Sequence, residues 1–184
     1  MYLTYIQTFD KTKNMEATAT TNQADLKTLF IHQLNRVNCT KGYLIRNLPL
    51  LAEIASFHNM RLAILEVLDD VKKQQSRVDE IYRLLDAKPS DEGCEVVKAV
   101  IEEAYQFGNH SGKAKVMNDM DIILYMCMIE NLQITSVKML KLINQYMNNA
   151  EVTQLLTENQ DEDVDNDNLL TLISKEYLAQ QVLN

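Results

Sequence analysis

The sequence predicts an all-α protein, folded as an antiparallel four-helix bundle with one extra short helix between the second and third long helices. Only four glycines and two prolines interrupt the 184 residues, and residues of high helix propensity dominate the rest. In four long stretches the apolar residues recur at helical spacing, whereas the alternation typical of strands is almost absent. Four long helices with short connections favour an antiparallel bundle, and a chain of this length forms one domain with a sizeable core.

The composition limits the partners that the protein can have. Its formal net charge of -8 disfavours nucleic acid and anionic membranes, because both bind basic surfaces. The longest apolar run has about eight residues, whereas a membrane span needs about 20. No secretory pattern begins the chain, and three cysteines without a CxxC pair indicate reduced thiols. We therefore expect a cytoplasmic protein with no membrane partner and no identifiable small-molecule ligand.

The start of the chain differs from the rest. Residues 1–24 combine a few apolar residues with a polar stretch, which predicts a flexible N-terminal arm followed by a helical bundle over residues 25–184. Asp25 is expected to cap the first long helix. Pro49 predicts a kink or a break, since proline removes one backbone hydrogen bond. The residues after it then either continue the helix or form a separate turn.

The remaining helices follow in order. The second long helix is predicted from about residue 59 to 85, the short helix over 94–107, the third over 115–147 and the fourth over 151–181. The connection at 108–113, GNHSGK, is one residue too short for a phosphate-binding loop and follows no strand. Aspartates alternate at 161–167, but the glycine and the glutamate that a calcium loop requires are missing. A solvated helical face is therefore expected there.

A charged residue lies at the centre of three of the four long apolar faces. On the first helix it is Lys41, on the third it is Glu130 and on the fourth it is Glu162. On the second helix Gln75 lies mid-face, while Lys72 lies off its centre. A carboxylate in an apolar stripe is costly unless something pairs with it. We therefore expect these residues to share one polar layer inside the bundle.

Several motifs resemble the YciE/YciF family of ferritin-like bacterial stress proteins. Residues 94–103, CEVVKAVIEE, are similar to the family's C-x-x-M-K-G-L-I-E-E, the most specific of the matches. Residues 39–51 fit the family's first helix, proline included, and residues 78–89 end in Lys-Pro as the family's second helix does. The resemblance spans residue 26 to about residue 177. It implies a ferritin-like bundle and a stress-related setting.

The resemblance also implies where metal ligands would lie. The family's third-helix motif corresponds to Glu130 with Gln133, and its fourth-helix motif to Asp161, Glu162 and Asp163. Its other two carboxylates fall at positions 41 and 72, which are both lysine here. An ammonium donates hydrogen bonds where a metal ion requires acceptors. We therefore expect a vestigial metal layer without a cofactor, formed by Lys41, Lys72, Glu130 and Glu162, with four polar residues beside it, Gln75, Gln133, Asp161 and Asp163.

Two functional hypotheses follow. The first is a non-catalytic ferritin-like protein, homodimeric and stress-related, whose di-metal layer has become a Lys–Glu network. The second is a metalloprotein that binds one iron, manganese or zinc ion through Glu130 and Glu162, with redox or peroxide chemistry. The first expects no catalytic residue and no cofactor, and the second expects one divalent ion.

Overall fold

The computed structural model describes residues 22–90, 95–108 and 115–183. Within these ranges the chain forms five helices and no strand, which confirms the predicted fold class. They are α1 (Gln23–Ile54), α2 (His58–Leu84), α3 (Glu95–Gly108), α4 (Lys115–Met147) and α5 (Ala150–Leu183). Most of the predicted arm and residues 91–94 and 109–114 lie outside the described residues. None of the described helices is both long enough and apolar enough to cross a membrane.

The first helix begins at a capping box. The Asn22 side chain accepts a hydrogen bond from the Asp25 backbone N–H at 2.9 Å, and the Asp25 carboxylate accepts one from the Asn22 N–H. The expected cap at Asp25 is therefore wrong, because Asp25 is the third helical residue and closes the box that Asn22 opens. Pro49 lies inside α1, which continues to Ile54. Of the two alternatives left open by the proline, the structure takes the continuous helix.

The four long helices form a ring in the order α1, α2, α5, α4, and each is antiparallel to its neighbours. Apolar side chains form two clusters, one toward each end of the bundle. The cluster at the start of α1 includes Phe30, Leu34, Val78, Leu140 and Leu156. The cluster at the end of α1 includes Leu48, Ile64, Met126, Ile129 and Leu170. A polar layer lies between them.

The extra helix α3 packs on the outside of α1 and α4. It buries Val97, Ile101 and Ala104 against the cluster at the end of α1. These residues share one face at helical spacing, which is why so short a helix can attach to the bundle. It lies in the crossover that connects α2 to α4, two helices that run parallel on the diagonal of the ring.

Side-chain hydrogen bonds hold both short connections between neighbouring helices. After α1, the Ser56 backbone N–H and hydroxyl both donate to the buried carboxylate of Asp119 on α4. After α4, Asn148 adopts a positive φ of 56°, and the Asn144 side chain donates to the Asn149 carbonyl at 2.7 Å. The Asn149 side chain then accepts from the Val152 N–H and starts α5. These contacts fix the heights at which the helices meet.

Candidate functional site

The polar layer is centred on Lys41, whose side chain is fully buried. Its Nζ donates to Gln74 Oε1 at 2.7 Å and to Gln133 Oε1 at 2.6 Å, and it lies 3.5 Å from Asp163 Oδ1. These residues come from α1, α2, α4 and α5, so each long helix contributes one. Four helices are therefore joined through a single ammonium group.

The two glutamines connect the ammonium of Lys41 to the two carboxyl groups of the layer. Gln74 Nε2 donates to Asp163 Oδ1 at 2.8 Å, and Gln133 Nε2 donates to Glu130 Oε2 at 3.3 Å. Each amide thus turns its oxygen toward the ammonium of Lys41 and its NH2 group toward a carboxylate. The charges on either side determine how both amides are oriented.

One positive charge faces two buried carboxyl groups in this layer. Burial is the main cause that raises the pKa of Glu130 to about 8; the nearby charge of Asp163 acts in the same direction, and the Lys41 ammonium opposes both. Burial also raises the pKa of Asp163, opposed by the charge of Lys41 and by the hydrogen bond from Gln74. Asp163 has the closer contact with Lys41, so Glu130 is the group that keeps a proton near neutral pH. The layer then carries no net charge.

Some polar atoms near the layer have no partner among the described residues. They are Glu130 Oε1, Asp163 Oδ2 and Asn166 Nδ2, and all three belong to buried side chains. Two carboxyl oxygens could accept from a cation or a water molecule. A pair of divalent ions does not fit this site, however, because Lys41 donates where such ions need acceptors. Among the described residues, no group of three or more His, Cys, Asp or Glu side chains could hold a metal ion.

Lys72 does not belong to the layer. Its side chain is 52% exposed and pairs with Asp69 at 2.9 Å on the surface of α2. Gln74, which is fully buried, takes the expected place. Two residues correspond to about 200° of rotation around a helix, so Lys72 and Gln74 face nearly opposite directions. The expected position of Lys72 is therefore wrong.

Glu162 also lies outside the layer. It is partly exposed and accepts two hydrogen bonds from the Arg77 guanidinium, at 2.7 and 2.8 Å. The inward residue is its neighbour, Asp163. The buried line of α5 carries three polar residues among apolar ones: Leu156, Asn159, Asp163, Asn166, Leu170 and Ile173. Apolar periodicity therefore identifies this face poorly, and the expected position was wrong by one residue.

The four residues expected beside the layer divide into two groups. Gln133 and Asp163 contact Lys41 directly and belong to the layer. Gln75 instead donates to Asn38 and Asp79 along the edge between α1 and α2, and Asp161 is exposed. Gln74 was missed, although its spacing from the buried residues of α2 could have indicated it. Those residues are Val67, Val71, Val78 and Ile81.

The cysteines differ from the expectation of three reduced thiols. Cys39 on α1 is disulfide-bonded, whereas Cys127 on α4 is free, with a pKa that burial raises to about 11. A disulfide requires two cysteines to approach in space. Spacing along the sequence could not reveal that approach.

The family described as "Domain of unknown function (DUF892)" matches residues 25–183. The chain belongs to this family. The match, together with two solved structures, confirms the resemblance to the YciE/YciF family that the motifs indicated.

Both solved structures share the fold of this DUF892 chain. The E. coli stress protein YciF superposes with a TM-score of 0.79 at 22% identity, covering 84% of this chain and 97% of its own. YcfI, described as a putative structural protein from Rhodopseudomonas palustris, gives a TM-score of 0.73 at 21% identity and covers 85% and 98%. No curated protein sequence matches this chain. At these identities the two structures establish the helical architecture alone.

Proposed function

We propose that this protein is a non-catalytic, stress-related bundle in which a tethered ammonium takes the place of metal ions in the carboxylate layer. The proposal depends on one observation, the burial of Lys41 Nζ among Gln74, Gln133 and Asp163. Lys41 supplies the positive charge that the inward carboxyl groups need. The helices are therefore held together without any metal being loaded.

The chemistry of the layer supports a structural role. A buried ion pair adds little net stability compared with apolar packing, but removal of one partner is costly. The layer therefore fixes the relative heights of the four helices more than it stabilises the bundle. The two similar structures are described as a stress protein and a putative structural protein, which agrees with such a role.

A single bound ion is the competing function, and one observation favours it. Glu130 Oε1 and Asp163 Oδ2 are buried oxygens without a donor among the described residues. Glu162, the second ligand expected from the sequence, is held instead by Arg77. An ion would thus have Glu130 and Asp163 as its carboxylate ligands, and Lys41 would have to move away.

Metal content separates the two functions. The full-length protein is purified from cells grown with added iron, manganese and zinc, and its metal is measured by mass spectrometry after desalting. We expect no stoichiometric metal in the wild-type protein. The matched variant Lys41→Glu replaces the ammonium with a carboxylate and should gain metal. About one ion per wild-type chain would overturn the proposal.

Two further features belong to the proposal. We propose that the protein acts through its surface, as a homodimer. The cytoplasmic location remains a prediction.

A further inference from the structure

The outward face of α4 carries a stripe of large apolar side chains. They are between 48% and 68% exposed, and each follows the one before by three or four residues or by a sum of such steps: Met117, Leu124, Met128, Met139, Leu142 and Tyr146. Asn131 and Thr135, also exposed, complete the line at its middle. We call these eight residues the α4 stripe. Such spacing is typical of a helix that packs against another helix.

The charge around this stripe differs from that of the whole chain. The protein has a formal net charge of -8, yet between Ile122 and Met147 the only carboxyl group on α4 is Glu130, which is buried. Lys138 is exposed on the same side. Two copies of an acidic protein repel each other least where neither presents a carboxylate. From Leu124 to Tyr146 the α4 stripe contains no carboxylate of its own, whereas the partly exposed Asp121 lies beside its Met117 end.

The order of residues within the stripe is nearly the same in both directions. From Leu124 to Leu142 it runs Leu, Met, Asn, Thr, Met, Leu. When two such helices pack antiparallel about a two-fold axis, Leu124 meets Leu142 of the second copy and Met128 meets Met139. The polar Asn131 then meets Thr135. The midpoint between the two residue numbers is the same in all three pairs to within one residue. A self-complementary surface is the requirement for a two-fold symmetric dimer.

We propose that the α4 stripe binds the same stripe of a second copy, with the two α4 helices antiparallel. This rests on the proposed homodimer and names its interface. The charges beside the stripe fit the arrangement. Asn131 Nδ2 donates to Asp167 of α5 at 3.0 Å, and Lys138 lies on that same side of the stripe. The two-fold axis brings Lys138 of each copy toward the Asn131–Asp167 pair of the other.

The size of the surface indicates a reversible dimer. A helix of 33 residues is about 50 Å long, and a face about 10 Å wide along it covers roughly 500 Å² on each copy. Stable interfaces bury about 1,200–2,000 Å² in total, so the roughly 1,000 Å² that two such stripes would bury falls below this range. The dimer should therefore dissociate on dilution.

The oligomeric state tests the proposal directly. Sedimentation equilibrium of the full chain over a range of concentrations should give a mass that rises from 21.2 kDa toward twice that value. Leu124→Glu combined with Leu142→Glu should leave only monomer. Leu62→Glu on α2 and Leu172→Glu on α5 are matched controls, since these leucines are 51% and 62% exposed. Both controls should still dimerise, and circular dichroism should show that all variants are folded.

Cross-linking tests the antiparallel arrangement. Positions 124 and 142 are 18 residues apart, about 27 Å along a helix, so a short bis-maleimide cannot join them within one chain. In a Cys127→Ala background, Leu124→Cys with Leu142→Cys should give a covalent dimer. Leu124→Cys alone should not, because the two copies of residue 124 lie equally far apart.

Three results would overturn the interface. They are a monomer at every concentration, a dimer that persists when Leu124→Glu and Leu142→Glu are combined, and efficient cross-linking of Leu124→Cys alone. They are separable from a failure of the metal-free network. A metal-loaded protein that dimerises through α4 would support the interface and contradict the metal-free network. A metal-free monomer would contradict the interface and leave the metal-free network uncontradicted.

Discussion

The ammonium of Lys41 lies 3.5 Å from Asp163 Oδ1, and both side chains are fully buried. The two residues belong to α1 and α5, which lie diagonally across the bundle. Their contact therefore crosses the centre of the core rather than an edge between neighbouring helices. The closer partners of Lys41 are the oxygens of Gln74 and Gln133. Charge and amide groups together make this a hydrogen-bonded network rather than an isolated ion pair.

Removal of the ammonium should strongly destabilise the fold. Lys41→Met leaves two buried glutamine oxygens without their donor and the buried Asp163 carboxylate without its counter-charge, a change that costs roughly 3–5 kcal/mol. Urea unfolding at pH 7 measures the loss. Lys72→Met is the control, because Lys72 lies at the surface and should change stability by less than about 0.5 kcal/mol. Equal effects of the two variants would mean that Lys41 is not paired in the core.

The neighbours Asp163 and Glu162 should respond very differently to neutralisation. Asp163→Asn removes the carboxylate nearest to Lys41 and should cost on the order of 2–4 kcal/mol. Glu162→Gln weakens a partly exposed pair with Arg77, which costs about 1 kcal/mol or less. Urea unfolding of both variants gives the comparison. A larger loss of stability in Glu162→Gln than in Asp163→Asn would mean that Glu162, as expected from the sequence, is the residue that belongs to the layer.

The buried carboxyl of Glu130 should make stability depend on pH. Its pKa is raised to about 8 in the folded protein, mainly by burial, so between about pH 5 and 8 the folded state holds a proton that the unfolded state has lost. Wild-type stability should therefore fall as pH rises through this window, by roughly 2–4 kcal/mol.

The variant Glu130→Gln removes this titration and tests its sign. Its stability relative to the wild-type protein should increase from pH 5 to pH 8, as measured by urea unfolding at each pH. Glu158→Gln, which alters a more exposed carboxylate beside Arg77, should follow the wild-type profile. A Glu130→Gln profile parallel to that of the wild-type protein would show that Glu130 is ionised throughout.

A metal site should be restorable by placing carboxylates in the observed layer. Lys41→Glu with Gln74→Glu would put acidic groups on all four long helices, together with Glu130 and Asp163. We expect this variant to bind manganese or ferrous iron in titration calorimetry. Lys41→Glu with Lys72→Glu is the matched control and should bind more weakly, since position 72 is at the surface. Absence of binding in the first variant, with its fold intact, would contradict the proposed origin of the layer.

Most of the fold could be predicted from local chemistry. The scarcity of glycine and proline and the apolar spacing indicate long helices, and the predicted bounds of the third long helix agree with α4, Lys115–Met147. The inward direction of Lys41 and Glu130 also follows from the sequence, because each lies within a clear apolar stripe. Continuation of α1 past Pro49 could not be decided. The loss of one backbone bond is offset by packing that only the assembled bundle provides.

The sequence by itself determined the all-α architecture, the order of the helices and the presence of charge inside the core. Only the tertiary structure decided which polar residues meet. Asp163 replaces Glu162, and Gln74 replaces Lys72, because each residue turns a helix by about 100°. On α5 the buried line is itself partly polar, so no apolar pattern selects it. The contacts with three other helices make that choice, and they place Lys41 and Asp163 together at the centre.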